Sequence, residues 1–156
     1  MVIDRLVQAV QTLGLEEGFH ARFDHQQWGV LAHYLQPELV PRGTILIHYG
    51  EQGHSMFLLE SGTLQAYVPD ATKGRRRISI LRPGAVCGEL SLFGSAPRMA
   101  QVEAMSACSV WCLTRARFEE LTQRQPTLAM ELMRAAGGVA ARRVRLHHER
   151  GVPLPC

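Results

Sequence analysis

The sequence predicts a mainly β fold flanked by helices, in the order helix, small β-barrel or sandwich, helix. Three observations predict it. Apolar residues recur at helical spacing near both ends, short apolar runs separated by glycines fill the middle, and prolines stand at the changes of pattern.

Residues 1–36 read as helical. Val2, Leu6, Val10 and Leu13 share one helix face, and a second pattern runs from Asp24, placed as an N-cap, through Trp28, Leu31, Ala32 and Leu35. Pro37 ends that run, because it lacks a backbone donor and disfavours a helical residue before it. Residues 38–114 carry the short apolar runs Thr44–Ile47, Met56–Leu59, Leu64–Val68, Ile78–Leu81 and Cys108–Leu113. Between them lie Gly43, Gly50, Gly53, Gly62, Gly74 and Gly84, each expected to supply a corner with positive φ. Residues 115–149 return to helix: a short segment Arg115–Arg124, then a longer one with Pro126 in its first turn. Leu128, Leu132, Met133, Ala136, Val139, Ala140 and Val144 give the long helix a broad apolar face. Residues 1–149 are expected to form one domain, with 150–156 as a tail.

Composition narrows the function classes. Across 156 residues, 46% are hydrophobic and 20% charged, and 17 Lys+Arg against 14 Asp+Glu give a formal charge of +3. Disorder is excluded, and so small a positive charge does not by itself argue for a nucleic-acid surface. No window approaches the roughly 18 apolar residues of a membrane span, and the start MVIDRLVQAV has no secretory pattern. Cys87, Cys108, Cys112 and Cys156 then read as free thiols in a reducing compartment, so the expected location is cytoplasmic with no membrane partner.

One stretch departs from the strand–turn rhythm. Glycines 84, 88 and 94 with prolines 83 and 97 bracket Glu89-Leu90-Ser91-Leu92-Phe93, room for about one helical turn. A glycine leading into a short helix leaves backbone N–H groups unpaired, an anion-binding geometry. Arg98, expected at the start of the next strand, can grip a phosphate with two parallel hydrogen bonds. Ionised Glu89 accepts only, as a sugar hydroxyl requires.

The run Gly88-Glu89-Leu90-Ser91-Leu92-Phe93 … Pro97-Arg98-Met99-Ala100 resembles the phosphate-binding cassette of cyclic nucleotide-binding domains, here residues 84–100. The stretch Gly43-Thr44-Ile45 … Gly50-Glu51-Gln52-Gly53 … Met56-Phe57-Leu58-Leu59 … Ser61-Gly62 is similar to the same family's glycine framework. The resemblance implies a double-stranded β-helix, that is a jelly-roll-like β-barrel of α+β or mainly β class, between N-terminal helices and a long C-terminal helix. It implies that Arg98 pairs with the cyclic phosphate, that Glu89 accepts from the ribose 2′-hydroxyl, and that Gly88 lets the backbone approach the sugar. Backbone N–H groups of Leu90 or Ser91, and of Met99 or Ala100, would complete the cradle. Members that prefer cyclic GMP commonly place threonine after the arginine, so Met99 tilts the expected ligand towards cyclic AMP. The nucleotide is a ligand; no cofactor, metal or catalysis is expected.

The same residues admit other readings. Glu89 and Arg98 would serve equally as a structural ion pair at a barrel rim. His48, His54 and Glu60 could suggest a metal site, but a glycine turn splits the two histidines and surface side chains are expected. Arg75-Arg76-Arg77 is expected at a charged hairpin tip, and Arg142, Arg143, Arg145 and Arg150 as complements to the last helix's dipole. Cys108 and Cys112 are expected on one strand face as small buried hydrophobes. Ala135-Ala136-Gly137-Gly138 marks a place of close approach or a hinge. A loose alignment of Arg142-Arg143 with the family's bacterial regulators puts His147 or His148 near the base, though solvent-facing histidines are the plainer expectation. The regulators carry a helix-turn-helix after this helix; with few residues left here, DNA binding by this chain alone is not expected. The expected partners are therefore the nucleotide, an unidentified effector protein and a second copy met through the C-terminal helix. The competing function is a structural or dimerisation module whose cassette binds nothing.

Overall fold

The computed structural model describes residues 2–13, 18–70 and 74–150. Two helices come first, α1 (Asp4–Thr12) and α2 (His25–Ala32). Asp24 caps α2 as expected: its carboxylate accepts from the Gln27 N–H at 2.8 Å, and Gln27 Oε1 accepts from the Asp24 N–H at 2.9 Å. Eight strands follow: β1 (Gln36–Val40), β2 (Ile45–Ile47), β3 (Ser55–Ser61), β4 (Leu64–Asp70), β5 (Gly74–Leu81), β6 (Val86–Cys87), β7 (Gln101–Ala104) and β8 (Cys108–Thr114). The chain then forms α3 (Arg115–Arg124) and α4 (Pro126–Arg150).

The strands form two four-stranded antiparallel sheets, in the orders β1-β8-β3-β6 and β2-β7-β4-β5. This is the jelly-roll-like β-barrel between helices that the sequence led us to expect. In the first sheet β3 and β8 are buried on both faces, which explains why Met56–Leu59 and Val110–Leu113 are unbroken apolar runs rather than alternating ones. Met56, Leu58, Val86, Trp111 and Leu113 join a core with residues of all four helices. Phe57, Leu59, Cys87, Val110 and Cys112, on the opposite face, pack with Leu64, Ala66, Val102 and Ala104 of the second sheet. Cys108 belongs to that same interior. Burial pushes the Cys112 thiol up, so it remains protonated, as a small buried hydrophobe should.

Several details differ from the expectations. β1 begins at Gln36 rather than at residue 38 and contains Pro37. A proline is tolerated there because β1 is an edge strand, bonded only to β8. β6 and β7 were hidden, one by its two-residue length and the other by its half-polar sequence QVEA. Arg75 lies in β5 one pair from the turn end of the β4–β5 hairpin, and it is not merely a solvated charge: its guanidinium stacks 4.8 Å above the Tyr67 ring and stands 3.7 Å from Glu103. α4 runs without a break through Gly137 and Gly138 to Arg150, so it takes in the first residue of the expected tail. Val144 is 51% exposed and does not share the buried face. The remainder of the expected tail, residues 151–156, lies outside the described residues.

Candidate functional site

The site begins with a glycine. Gly88 follows β6 with φ +75° and starts a single 3₁₀ turn, Glu89–Leu92. A β-carbon there would lie 2.6 Å from the Ser55 carbonyl oxygen and 2.7 Å from Arg98 Nη1, so the position is closed to side chains on two counts. The turn is held internally by Ser91, whose hydroxyl and N–H both donate to the Gly88 carbonyl, at 2.6 and 3.1 Å.

Arg98 sits ahead of β7, not at its start. Its backbone is fixed on the β2–β3 loop: Arg98 N–H donates to the Glu51 carbonyl at 2.7 Å, and the Arg98 carbonyl accepts from Gly50 N–H at 2.9 Å. Nη2 donates to the Ser55 carbonyl at 2.7 Å and Nη1 to the Gly88 carbonyl at 3.4 Å. Gly53 makes room for this side chain: a β-carbon on it would collide with Nε and stand 2.6 Å from Cζ. That corrects one expectation. Gly43, Gly50, Gly62, Gly74 and Gly84 do have positive φ, but Gly53 does not; its use is space, not conformation.

Glu89 does not pair with Arg98, which removes the rim ion pair. It is 1% exposed, and its Oε2 receives Arg143 Nη1 from α4 at 2.8 Å. Arg143 Nη2 donates to the Val86 carbonyl at 2.5 Å. Its neighbour Arg142 reaches the other way and donates to the Gly18 carbonyl. These two arginines tie α4 to separate parts of the molecule, which reading them as dipole complements missed. Glu89 Oε1 is buried without a hydrogen-bond partner among the described residues. Burial pushes the Glu89 carboxyl up from its ordinary range, against the opposing charge of Arg143, the residue's own N–H, and the charge of Arg98.

A small pocket of about 40 Å³ lies beside Arg98, lined by Gly53, Leu90, Ser91, Gly94, Ala96, Pro97, Arg98 and Met99, with Glu89 outside its lining. It has room for a water or two and not for a nucleoside. The predicted residues thus come together, with Gly88, Glu89 and Ser91 buried, Leu90 half-buried and Met99 42% exposed at the edge. Ala100 is fully buried in the core between the sheets. His48, His54 and His148 are exposed, and the side chain of His147 lies outside the description. No group of metal-ligating side chains forms among the described residues, and no helix among them is long and apolar enough to cross a membrane.

Comparison with known proteins identifies the family and the fold. The model of the cyclic nucleotide-binding domain family matches residues 37–125. A cAMP-dependent protein kinase regulatory subunit from Eremothecium gossypii is 28% identical over 116 residues, 71% of this chain and 24% of that protein. The cyclic AMP receptor protein of Thermus thermophilus is 29% identical over 112 residues, 72% of this chain and 50% of that protein. The chain therefore spans between a quarter and a half of the length of these relatives. Among solved structures, a cyclic nucleotide-binding domain from Methylobacillus flagellatus superposes with a TM-score of 0.82 at 22% identity, over 96% of this chain and 82% of that one.

Proposed function

The chain belongs to the cyclic nucleotide-binding domain family, and from that premise we propose that it is a regulatory module whose cassette takes a cyclic nucleotide, cyclic AMP in preference to cyclic GMP. The observation that carries the proposal is Glu89: a buried carboxylate with one oxygen held by Arg143 and the other lacking a partner among the described residues. A buried acceptor without a donor is costly, and a ribose hydroxyl supplies the missing donor. Arg98 supports the same reading, since its guanidinium bonds to carbonyl oxygens and leaves its full charge for a phosphate. In this reading the backbone N–H of Leu90, and that of Met99 or Ala100, go to that phosphate, because the Ser91 N–H is already taken by the Gly88 carbonyl. Met99 supplies no side-chain hydroxyl beside Arg98, and the two relatives described above are named for cyclic AMP.

The output is a population shift in α4. Arg143 binds both Glu89 and the carbonyl of Val86, so a nucleotide that takes Glu89 Oε1 acts on a group that also holds the helix. Met130, Val144 and Leu146 stand exposed on α4, available to an effector protein or a second copy. The test is calorimetric titration with cyclic AMP and cyclic GMP, 5′-AMP as control, and sizing of the protein with and without ligand. Micromolar or tighter binding that requires the cyclic phosphate is expected. In a folded Arg98→Ala variant, loss of a charge-assisted bond worth about 1.5–3 kcal/mol weakens it by one to two decades. Unchanged affinity in that variant overturns the site. No binding to wild type leaves a structural module, whose assembly is then independent of nucleotide.

A further inference from the structure

We propose that Arg115 is a positioning residue of the cassette: it fixes the 3₁₀ turn from behind so that its N–H groups stay aimed at an anion. The inference rests on the nucleotide reading for its consequence but not for its geometry. Arg115 is the first residue of α3, and its side chain leaves that helix entirely. Nη2 donates to the carbonyls of Ser91 and of Gly94, the latter at 2.7 Å, and Nη1 donates to Ser95 Oγ at 3.2 Å.

Two arguments separate this arrangement from ordinary surface packing. A cation at a helix N-terminus has the wrong sign for the macrodipole, so α3 gains nothing from Arg115 there. Thr114 already caps α3 by accepting from the Arg117 N–H at 3.2 Å. The guanidinium is instead matched to the cassette, where it takes the Ser91 carbonyl of the 3₁₀ turn and the Gly94 carbonyl just beyond the turn's end. Moreover, Ser91 and Gly94, whose carbonyls Arg115 takes, also line the cavity beside Arg98 and Met99. Arg115 thus grips from outside the residues that face the cavity from inside.

The root of Arg115 is fixed as well. Its backbone N–H donates to the His54 carbonyl at 2.8 Å, and the next carbonyl, that of Ser55, accepts from Arg98 at 2.7 Å. Both arginines are therefore referenced to adjacent peptide groups at the start of β3. The distance between the phosphate-gripping side chain and the turn depends on this shared anchor. Only a planar fork with several donors reaches three acceptors at once; a lysine ammonium on a flexible stem does not hold the same set.

The test uses Arg115→Lys, which keeps the charge and the stem, beside Arg115→Met. In the absence of nucleotide, amide hydrogen exchange within residues 90–95 is expected to speed up by about tenfold in both variants, with exchange elsewhere unchanged. Cyclic AMP affinity is expected to fall about tenfold in both, without rescue by lysine. If the methionine variant fails to fold, the lysine variant alone decides. Wild-type exchange in residues 90–95, or full recovery of affinity by lysine, overturns the proposal. Should wild type bind no cyclic nucleotide, the function proposed above fails, while the exchange measurement still decides the role of Arg115.

Discussion

At the scale of single residues, the site depends on where side chains are missing as much as on where they are present. Gly53 is the clearest case, because its backbone φ is ordinary and the only demand on it is room for Arg98. Gly53→Ala should leave stability within about 1 kcal/mol of wild type, since alanine is tolerated at such φ and lowers the entropy of the unfolded chain. It should displace the guanidinium from Ser55 and weaken cyclic AMP binding about tenfold; paired denaturation and titration check both halves. Unchanged affinity would show that Arg98 reaches ligand by another path. The sequence made the cassette residues legible because Gly88, Glu89 and Arg98 lie within one short window. It concealed the partner of Glu89, since Arg143 is 54 residues away and sequence gives no distance across the fold.

At the scale of elements, α4 is the helix with most attached to it. Near its start, Glu131 accepts from Arg22 N–H at 2.6 Å and Arg134 donates to the His20 carbonyl at 2.7 Å. Near its end, Arg142 and Arg143 hold Gly18 and Glu89 respectively. Removing Arg143 leaves a buried carboxylate without its cation, a change that costs about 3–5 kcal/mol where it cannot relax. Arg143→Ala should therefore be strongly destabilising, and Arg143→Ala with Glu89→Gln should recover most of the loss. A double-mutant cycle by denaturant unfolding measures the coupling; strict additivity would mean that the ion pair does not hold the helix. The bounds of α3 and α4 were readable because helical periodicity and Pro126 are local signals. The destinations of their arginines were not, for charges near a helix end look alike whether they face solvent or a carboxylate. β1 was obscured for a comparable reason: Pro37 reads as a break, and only pairing on one side makes it compatible with a strand.

For the molecule as a whole, two carboxylates set opposing responses to pH. Burial raises Glu89, so its contribution to folding is greatest below the ordinary carboxylate range and is lost as pH rises through its raised value. Glu131 is lowered, chiefly by the hydrogen bond from Arg134, so its contribution is present above the ordinary range and is lost as pH falls through the lowered value. Glu89→Gln should make stability climb more steeply from mild acid to neutrality, and Glu131→Gln should make it fall less steeply as pH drops below the ordinary carboxylate range. Denaturant midpoints measured across both ranges check the signs, and wild-type slopes in both variants would contradict them. The layered architecture was legible from the unbroken apolar runs and glycine spacing, whereas the division into two interiors emerges only once the sheets are paired.

That division has a consequence for how the chain tolerates change. In β3 and β8, odd and even positions serve different interiors, so a single-residue insertion would send every side chain beyond it to the wrong room. The helix-facing core would receive Phe57 and Cys112, and the space between the sheets would receive Met56 and Leu113. An added residue is therefore accommodated in loops and at the exposed edge β1, while the cassette sits in a frame whose residue count is locked on both sides.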